Sequence, residues 1–238
     1  YGYTGKEWKP EVAVSFNDAA LTADTDYTVS YENNINAGTA KIIITGIGDH
    51  FTGSTEKTFT INSAEISGCT FAPIADVTYN TKAHTPEVTV AISGRTLEAD
   101  KDYTVSYASN VNAGTATVTV TGKGNFTGSA NTTFTIAKAD LNLSVYTISS
   151  LCTETEVKTS TLPSNFFLAD ETETGFSIAL TAVEGGDDIF AVAPAVVEGE
   201  NKITFRLKNE VGAATFTVTV TPVSGNYNGG SYALTIST

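Results

Sequence analysis

Three pairs of carboxylates stand close enough in sequence to suggest chemistry: Asp24 with Asp26, Asp100 with Asp102, and Asp187 with Asp188. Two acids facing each other across a cleft can hydrolyse a glycosidic bond. Six to eight oxygens converging at about 2.4 Å can hold calcium. The first two pairs stand in the same place in two copies of one sequence, just ahead of Tyr-Thr-Val-Ser-Tyr. An enzyme seldom needs two identical sites in series, and an Asp before a strand ordinarily caps a turn by accepting from nearby backbone N–H groups. The turn reading therefore comes first, calcium second and catalysis last. Further acids at Asp170, Glu171, Glu173, Asp187, Asp188, Glu198 and Glu200 follow no calcium-loop spacing and read as a solvated acidic face.

The other candidates are sparse. His50 and His84 have no ligand set beside them in sequence, and Cys69 and Cys152 are not spaced for a metal. A Ser-His-Asp arrangement has no support beyond an abundance of Ser and Thr. No glycine-rich phosphate loop precedes a helix. The single Trp, Trp8, lies near Tyr1 and Tyr3. Exposed rings of this kind can stack on sugars; equally, Trp8 can cover the end of a sandwich or a module junction. The sequons at Asn125, Asn131 and Asn142 matter only on a eukaryotic secretory route. No catalytic residue, metal site or cofactor is assigned.

Positioning these residues is the task of a segment written twice. Tyr27 to Ala40 and Tyr103 to Ala116 share the pattern Tyr-Thr-Val-Ser-Tyr-x-x-Asn-x-Asn-Ala-Gly-Thr-Ala. The match reaches back through Pro10-Glu-Val-Ala-Val and Pro86-Glu-Val-Thr-Val to Tyr3 and Tyr79. It runs forward to Phe59-Thr-Ile61 and Phe134-Thr-Ile136, with one extra residue around Asp49 and His50. The period of about 76 residues suits small domains in series rather than a solenoid. Within each copy the apolar period is two, as in Ala116, Val118 and Val120 against Thr117, Thr119 and Thr121, so the elements are half-buried strands. Strands are expected at Pro10–Val14, at Pro86–Val90 and, in the second copy alone, at Ile66–Phe71. From Ala139 to Thr238 the signature fades but the alternation continues, and Gly225-Asn-Tyr-Asn-Gly echoes Gly124-Asn-Phe-Thr-Gly.

The expected fold class is all-β, with tandem immunoglobulin-like sandwiches spanning 1–62, 63–137 and 138–238. The first copy opens in mid-pattern, so the chain is expected to be a piece of a longer one. Its first module is then expected to lack an edge strand or to sit on a neighbour outside this sequence. The junctions at Asn62-Ser-Ala-Glu and Ala137-Lys-Ala-Asp140 are short, which predicts an extended, moderately stiff rod.

The stretch from Asp102 to Ile136 resembles the bacterial immunoglobulin-like repeats of secreted and cell-surface proteins. The Tyr-x-Gly-Lys start and the Pro-x-Val-x-Val run carry that resemblance over residues 3–136. The resemblance implies an extracellular, non-enzymatic β-sandwich and transfers no catalytic residue.

Charge points the same way. Thirteen Lys and Arg face 26 Asp and Glu, a net charge of −13, which disfavours nucleic acid and anionic membrane surfaces. No apolar run approaches the ~20 residues of a helical bilayer crossing. The expected function is a non-enzymatic structural or adhesive module of a larger cell-surface or secreted bacterial protein, acting as a spacer or presenting arm, and the chain is expected to be a monomer. The alternatives are a binding module for carbohydrate or a host or cell-surface protein, seated on the third domain, and the accessory region of a secreted hydrolase.

Overall fold

In the computed structural model the described residues are 1–149, 157–168, 175–183, 189–208 and 210–238. They are almost wholly β, and the one helical turn among them is a 3-10 turn at Ile66–Gly68. The fold is a tandem of immunoglobulin-like β-sandwiches. By internal packing the chain forms two compact units. One comprises Tyr1–Ile74, Pro86–Tyr107 and Thr117–Thr132; the other comprises Ala75–Thr85, Ala108–Ala116 and Thr133–Thr238.

In the first unit, Tyr27–Glu32, Gly38–Gly46 and Ser54–Ile61 form an antiparallel meander, with Tyr27 opposite Gly46 and Gly38 opposite Ile61. Period-two burial follows: Tyr27, Ala40, Ile42 and Ile61 are buried and the threonines between them face outward. Two tight hairpins join Ser15–Phe16 to Ala19–Ala20 and Val90–Ile92 to Arg95–Thr96. Their central pairs, Asn17-Asp18 and Ser93-Gly94, both have positive φ, as the primed turns that match strand twist require.

The Pro10–Val14 and Pro86–Val90 segments depart from expectation. They keep the alternation, with Val12 and Val14 half-buried and Val88 and Val90 buried, but they do not join a ladder as whole strands. Only Val90–Ile92 is a strand. Tyrosine hydroxyls take the carbonyls that a neighbouring strand would use. Tyr31 donates to Pro10 O at 2.6 Å and Tyr27 to Val12 O at 3.2 Å. Tyr107 donates to Pro86 O and Tyr103 to Val88 O, the latter at 2.7 Å. The run Ile66–Phe71 is likewise not one strand. Ala64–Glu65 pairs in parallel with Phe126–Thr127, the 3-10 turn buries Ile66, and only Thr70–Phe71 pairs with Val90–Ala91.

In the second unit, a four-stranded sheet runs Tyr146–Ser149, Gly230–Ser237, Ala213–Pro222, Phe176–Ala182. A three-stranded sheet of Lys158–Thr161, Lys202–Leu207 and Phe190–Val196 packs against it. Val218, Val220, Leu234 and Ile236 from one sheet meet Ile203, Phe205 and Leu207 from the other in a closed core. Two sheets packed face to face over a shared apolar layer make a β-sandwich. Its first strand, Tyr146–Ser149, lies parallel to the last, Gly230–Ser237; Val77–Thr78 pairs with Ile136–Ala137 in the same sense.

Candidate functional site

The paired aspartates are turn residues. Asp24 and Asp100 both sit at φ +63, and their N–H groups donate to Tyr27 O and Tyr103 O at 2.8 Å. This left-handed backbone is one that Asp tolerates better than most residues. The Asp26 carboxylate accepts from Thr22 N at 2.7 Å. Asp102 accepts from Glu98 N at 3.1 Å and from Arg95 Nη2 at 3.2 Å. Asp102 is 2% exposed, so it is a buried carboxylate with both a backbone and a cationic partner. The backbone bonds of the turn are the same in both copies.

Among the described residues, no three His, Cys, Asp or Glu side chains converge as a metal site would need. Glu198 and Glu200 are exposed in a turn, and Glu200 pairs with Lys202 at 2.6 Å. Asp170, Glu171, Glu173, Asp187, Asp188 and Cys152 lie outside the described residues. Cys69 is a half-buried free thiol, and burial raises its pKa. His50 is exposed. His84 is half-buried, and its Nε2 has no hydrogen-bond partner. Trp8 is not a flat open platform. Its indole N–H donates to Gly2 O at 2.9 Å, and its ring leans on Tyr1 at 4.9 Å.

The asparagines of the twice-written signature each have a structural use. Asn34 Nδ2 donates to Trp8 O at 2.9 Å while Trp8 N donates back to Asn34 O at 2.8 Å. Asn110 and His84 repeat both bonds at 2.8 Å. Trp8 and His84 are thus equivalent positions held by their backbones, which is why the side chain is free to differ.

The remaining positions, Asn-Ala-Gly, build a contact between successive copies. Asn125 Oδ1 accepts from Ala37 N at 2.8 Å, and its Nδ2 donates to Asn36 Oδ1 at 3.0 Å. Next to it, Tyr3 and Phe126 meet edge to face at 5.5 Å and 83°. Ala64 N donates to Asn125 O at 2.9 Å. The arrangement recurs between the second copy and the sandwich that follows it in sequence. Asn226 Oδ1 accepts from Ala113 N at 2.9 Å, and its Nδ2 donates to Asn112 Oδ1 at 3.3 Å. Tyr79 and Tyr227 meet at 5.5 Å and 82°, and Ala139 N donates to Asn226 O at 2.9 Å. Each clamp therefore combines one side-chain amide that bonds twice with one aromatic pair, contributions of about 0.5–1.5 kcal/mol apiece.

The first clamp has an added cation. The Arg95 guanidinium donates to Tyr3 Oη at 2.9 Å and lies 5.8 and 5.7 Å from the centres of the Tyr3 and Phe126 rings. Its other arm reaches Asp102, so the buried carboxylate fixes the cation that bridges both rings. Hydrogen bonding to Tyr3 and the nearby acids raise the Arg95 pKa further. A cavity of about 290 Å³ opens beside these groups, lined by Tyr3, Ala64, Ile92, Arg95 and Phe126 among others. Another, of about 440 Å³, lies along Ser109–Thr115, the loop that carries the second Asn-Ala-Gly.

No family model matches the chain, and no curated protein matches it. Among solved structures it is similar to the zebrafish RET cadherin-like domains 1 to 4, at 9% identity over 89% of this chain and 65% of that one, with a TM-score of 0.28. It is similar to domains 4–9 of the surface layer protein SbsC, at 16% identity over 95% and 42%, with a TM-score of 0.22. The extracellular domain of protocadherin gamma B4 gives 9% identity over 89% and 43%, with a TM-score of 0.26. The chain thus spans between about two fifths and two thirds of these chains, and no residue role is transferred from them.

Proposed function

We propose that the chain is a non-enzymatic structural arm of a larger extracellular bacterial protein. On this reading it consists of three sandwich modules, with boundaries near Asn62 and Ala137, and its work is to space or present what it is joined to. One observation carries the reading. The shared tyrosines, asparagines and aspartates fold their own copy or clamp it to the next. Tyr27, Tyr31, Asn34 and Asp26 and their counterparts tie down their own copy, while Asn36, Ala37, Asn112 and Ala113 receive Asn125 and Asn226. A clamp made twice from the same residue types suits an arm that must hold its modules in fixed relation.

The test compares the full chain with the Asn125→Ala/Asn226→Ala double variant by solution scattering and backbone relaxation. Motion between modules is expected to increase in the variant while each sandwich keeps its own fold. Equal inter-module motion in both proteins would overturn the reading. Retention of a defined glycan or cell-surface protein by the intact chain would favour the binding-module alternative instead.

A further inference from the structure

The loop Gly46–Gly53 of the first copy is the counterpart of Gly122–Gly128, the loop that carries the first clamp. Gly46 N donates to Gly53 O at 3.0 Å, and Gly122 N to Gly128 O at 2.9 Å. A Cβ on Gly46 would lie 2.7 Å from the Phe51 backbone, and one on Gly122 2.8 Å from that of Phe126, so both loops fold back on their glycine with the same aromatic inside. Phe51 is therefore the positional equivalent of Phe126, with His50 and Asp49 where the second copy has Asn125.

The surroundings differ in one respect. In the second copy Val90, Leu97, Tyr103, Val120 and Phe126 are all buried, with Tyr3 and Arg95 against Phe126. In the first copy Tyr27, the equivalent of Tyr103, is buried as well, but Val14, Leu21, Ile44 and Phe51 are only half-buried and line with it an open cavity of about 220 Å³. Phe16, edge to face with Phe51 at 5.8 Å, is 58% exposed. An apolar surface of this kind is normally covered, and the chain contains two examples of what covers it.

We propose that, independently of any spacer role, the Phe51 end of the first copy is a docking face for another module of this repeat type. The partner presents a free tyrosine and an Asn-Ala-Gly turn. Its tyrosine packs on Phe51 as Tyr3 packs on Phe126 and Tyr79 on Tyr227. Its turn amide is accepted by Asp49, and its Asn side chain is met by His50. A second copy of this chain is not the partner, because its two clamp tyrosines, Tyr3 and Tyr79, and both Asn-Ala-Gly turns are already engaged. At the corresponding place in the third sandwich, counted along the ladder from Ile61 and Ile236, stands Gly212-Ala213-Ala214, which has no Asn.

The test extends the full chain at Tyr1 with a second copy of residues 63–137, joined through a second copy of 63–76, and follows hydrogen exchange of the unique 46–53 peptide. That peptide is expected to exchange about tenfold more slowly than in the unextended chain. Tyr79→Ala with Asn112→Ala in the appended copy alone is expected to abolish the slowing. No slowing, or slowing that survives those two substitutions, would overturn the proposal. A second arm does not depend on the appended copy folding. In the 238-residue chain, Gly124–Gly128 is replaced by the sequence Gly-Asp-His-Phe-Thr-Gly. Retained protection of the Ala37 amide supports the proposal; loss as complete as in Asn125→Ala/Phe126→Ala overturns it.

Discussion

The side-chain oxygen of Asn226 accepts the N–H of Ala113 at 2.9 Å, although 113 positions of chain separate the two residues. Such a bond closes a long loop, and the pair of contacts made by one amide fixes the turn it meets in both position and direction.

Substituting either clamp asparagine is expected to loosen a junction without unfolding a sandwich. Asn226→Ala should cost about 1–2 kcal/mol of coupling between the second copy and the third sandwich. Hydrogen exchange at Ala113 should accelerate about tenfold or more, while amides of the Ala213–Pro222 strand stay protected.

Asp102 is expected to matter more than Asp26. Both accept a backbone N–H, but Asp102 is buried and also holds Arg95, whereas Asp26 is half-buried and has no cationic partner among the described residues. Asp102→Ala should lower stability by about 2–3 kcal/mol in urea unfolding, and Asp26→Ala by about 1 kcal/mol. Near-equal losses would contradict this ordering.

In the third sandwich, Phe205→Ala is expected to cost about 3–5 kcal/mol, because a fully buried ring between two sheets leaves a cavity. Val211, 91% exposed, provides the internal control. Val211→Ala should change the melting temperature by less than a degree or two, consistent with a surface change within about 0.5 kcal/mol.

Tyr232 sets a pH dependence. Its hydroxyl is buried without a hydrogen-bond partner, and desolvation pushes its pKa from 10.0 up to about 12. The protonated form is the one the fold favours, so this stability is complete below pH 10 and is lost as pH rises towards 12. Alkaline unfolding should begin in that window, and Tyr232→Phe should shift it upward. At pH 7 the same substitution should be neutral or slightly stabilising, since no bond is lost. A clear loss at pH 7, read from chemical denaturation, would contradict this.

The strand grammar was open to sequence reasoning because burial in a half-buried sheet writes itself at period two, as in Ala116, Val118 and Val120. The capping role of Asp26 and Asp102 was legible for a similar reason, because a cap bonds to backbone within a few residues; Asp24 and Asp100 serve their turns through a left-handed backbone and not through the carboxylate. The Pro10–Val14 and Pro86–Val90 runs misled, since alternation reports which side is buried and says nothing about what takes the carbonyls. There the tyrosine hydroxyls replaced a ladder. The clamp was the least visible feature. Asn36, Ala37 and Asn125 carry an evident turn composition, but the partners lie 88 and 89 positions apart. One signal was available: Gly-Asn-aromatic recurs at Gly124 and Gly225, even though the rest of the signature fades after Ile136.

The parallel pairing of Tyr146–Ser149 with Leu234–Ser237 has a mechanical consequence. If the polypeptide is stretched from both sides of this sandwich, one strand is drawn backward along its axis and its neighbour forward. The bonds between them are then loaded together in shear instead of being unzipped one by one. The third sandwich is wired to resist tension along the chain better than an antiparallel hairpin of the same length would.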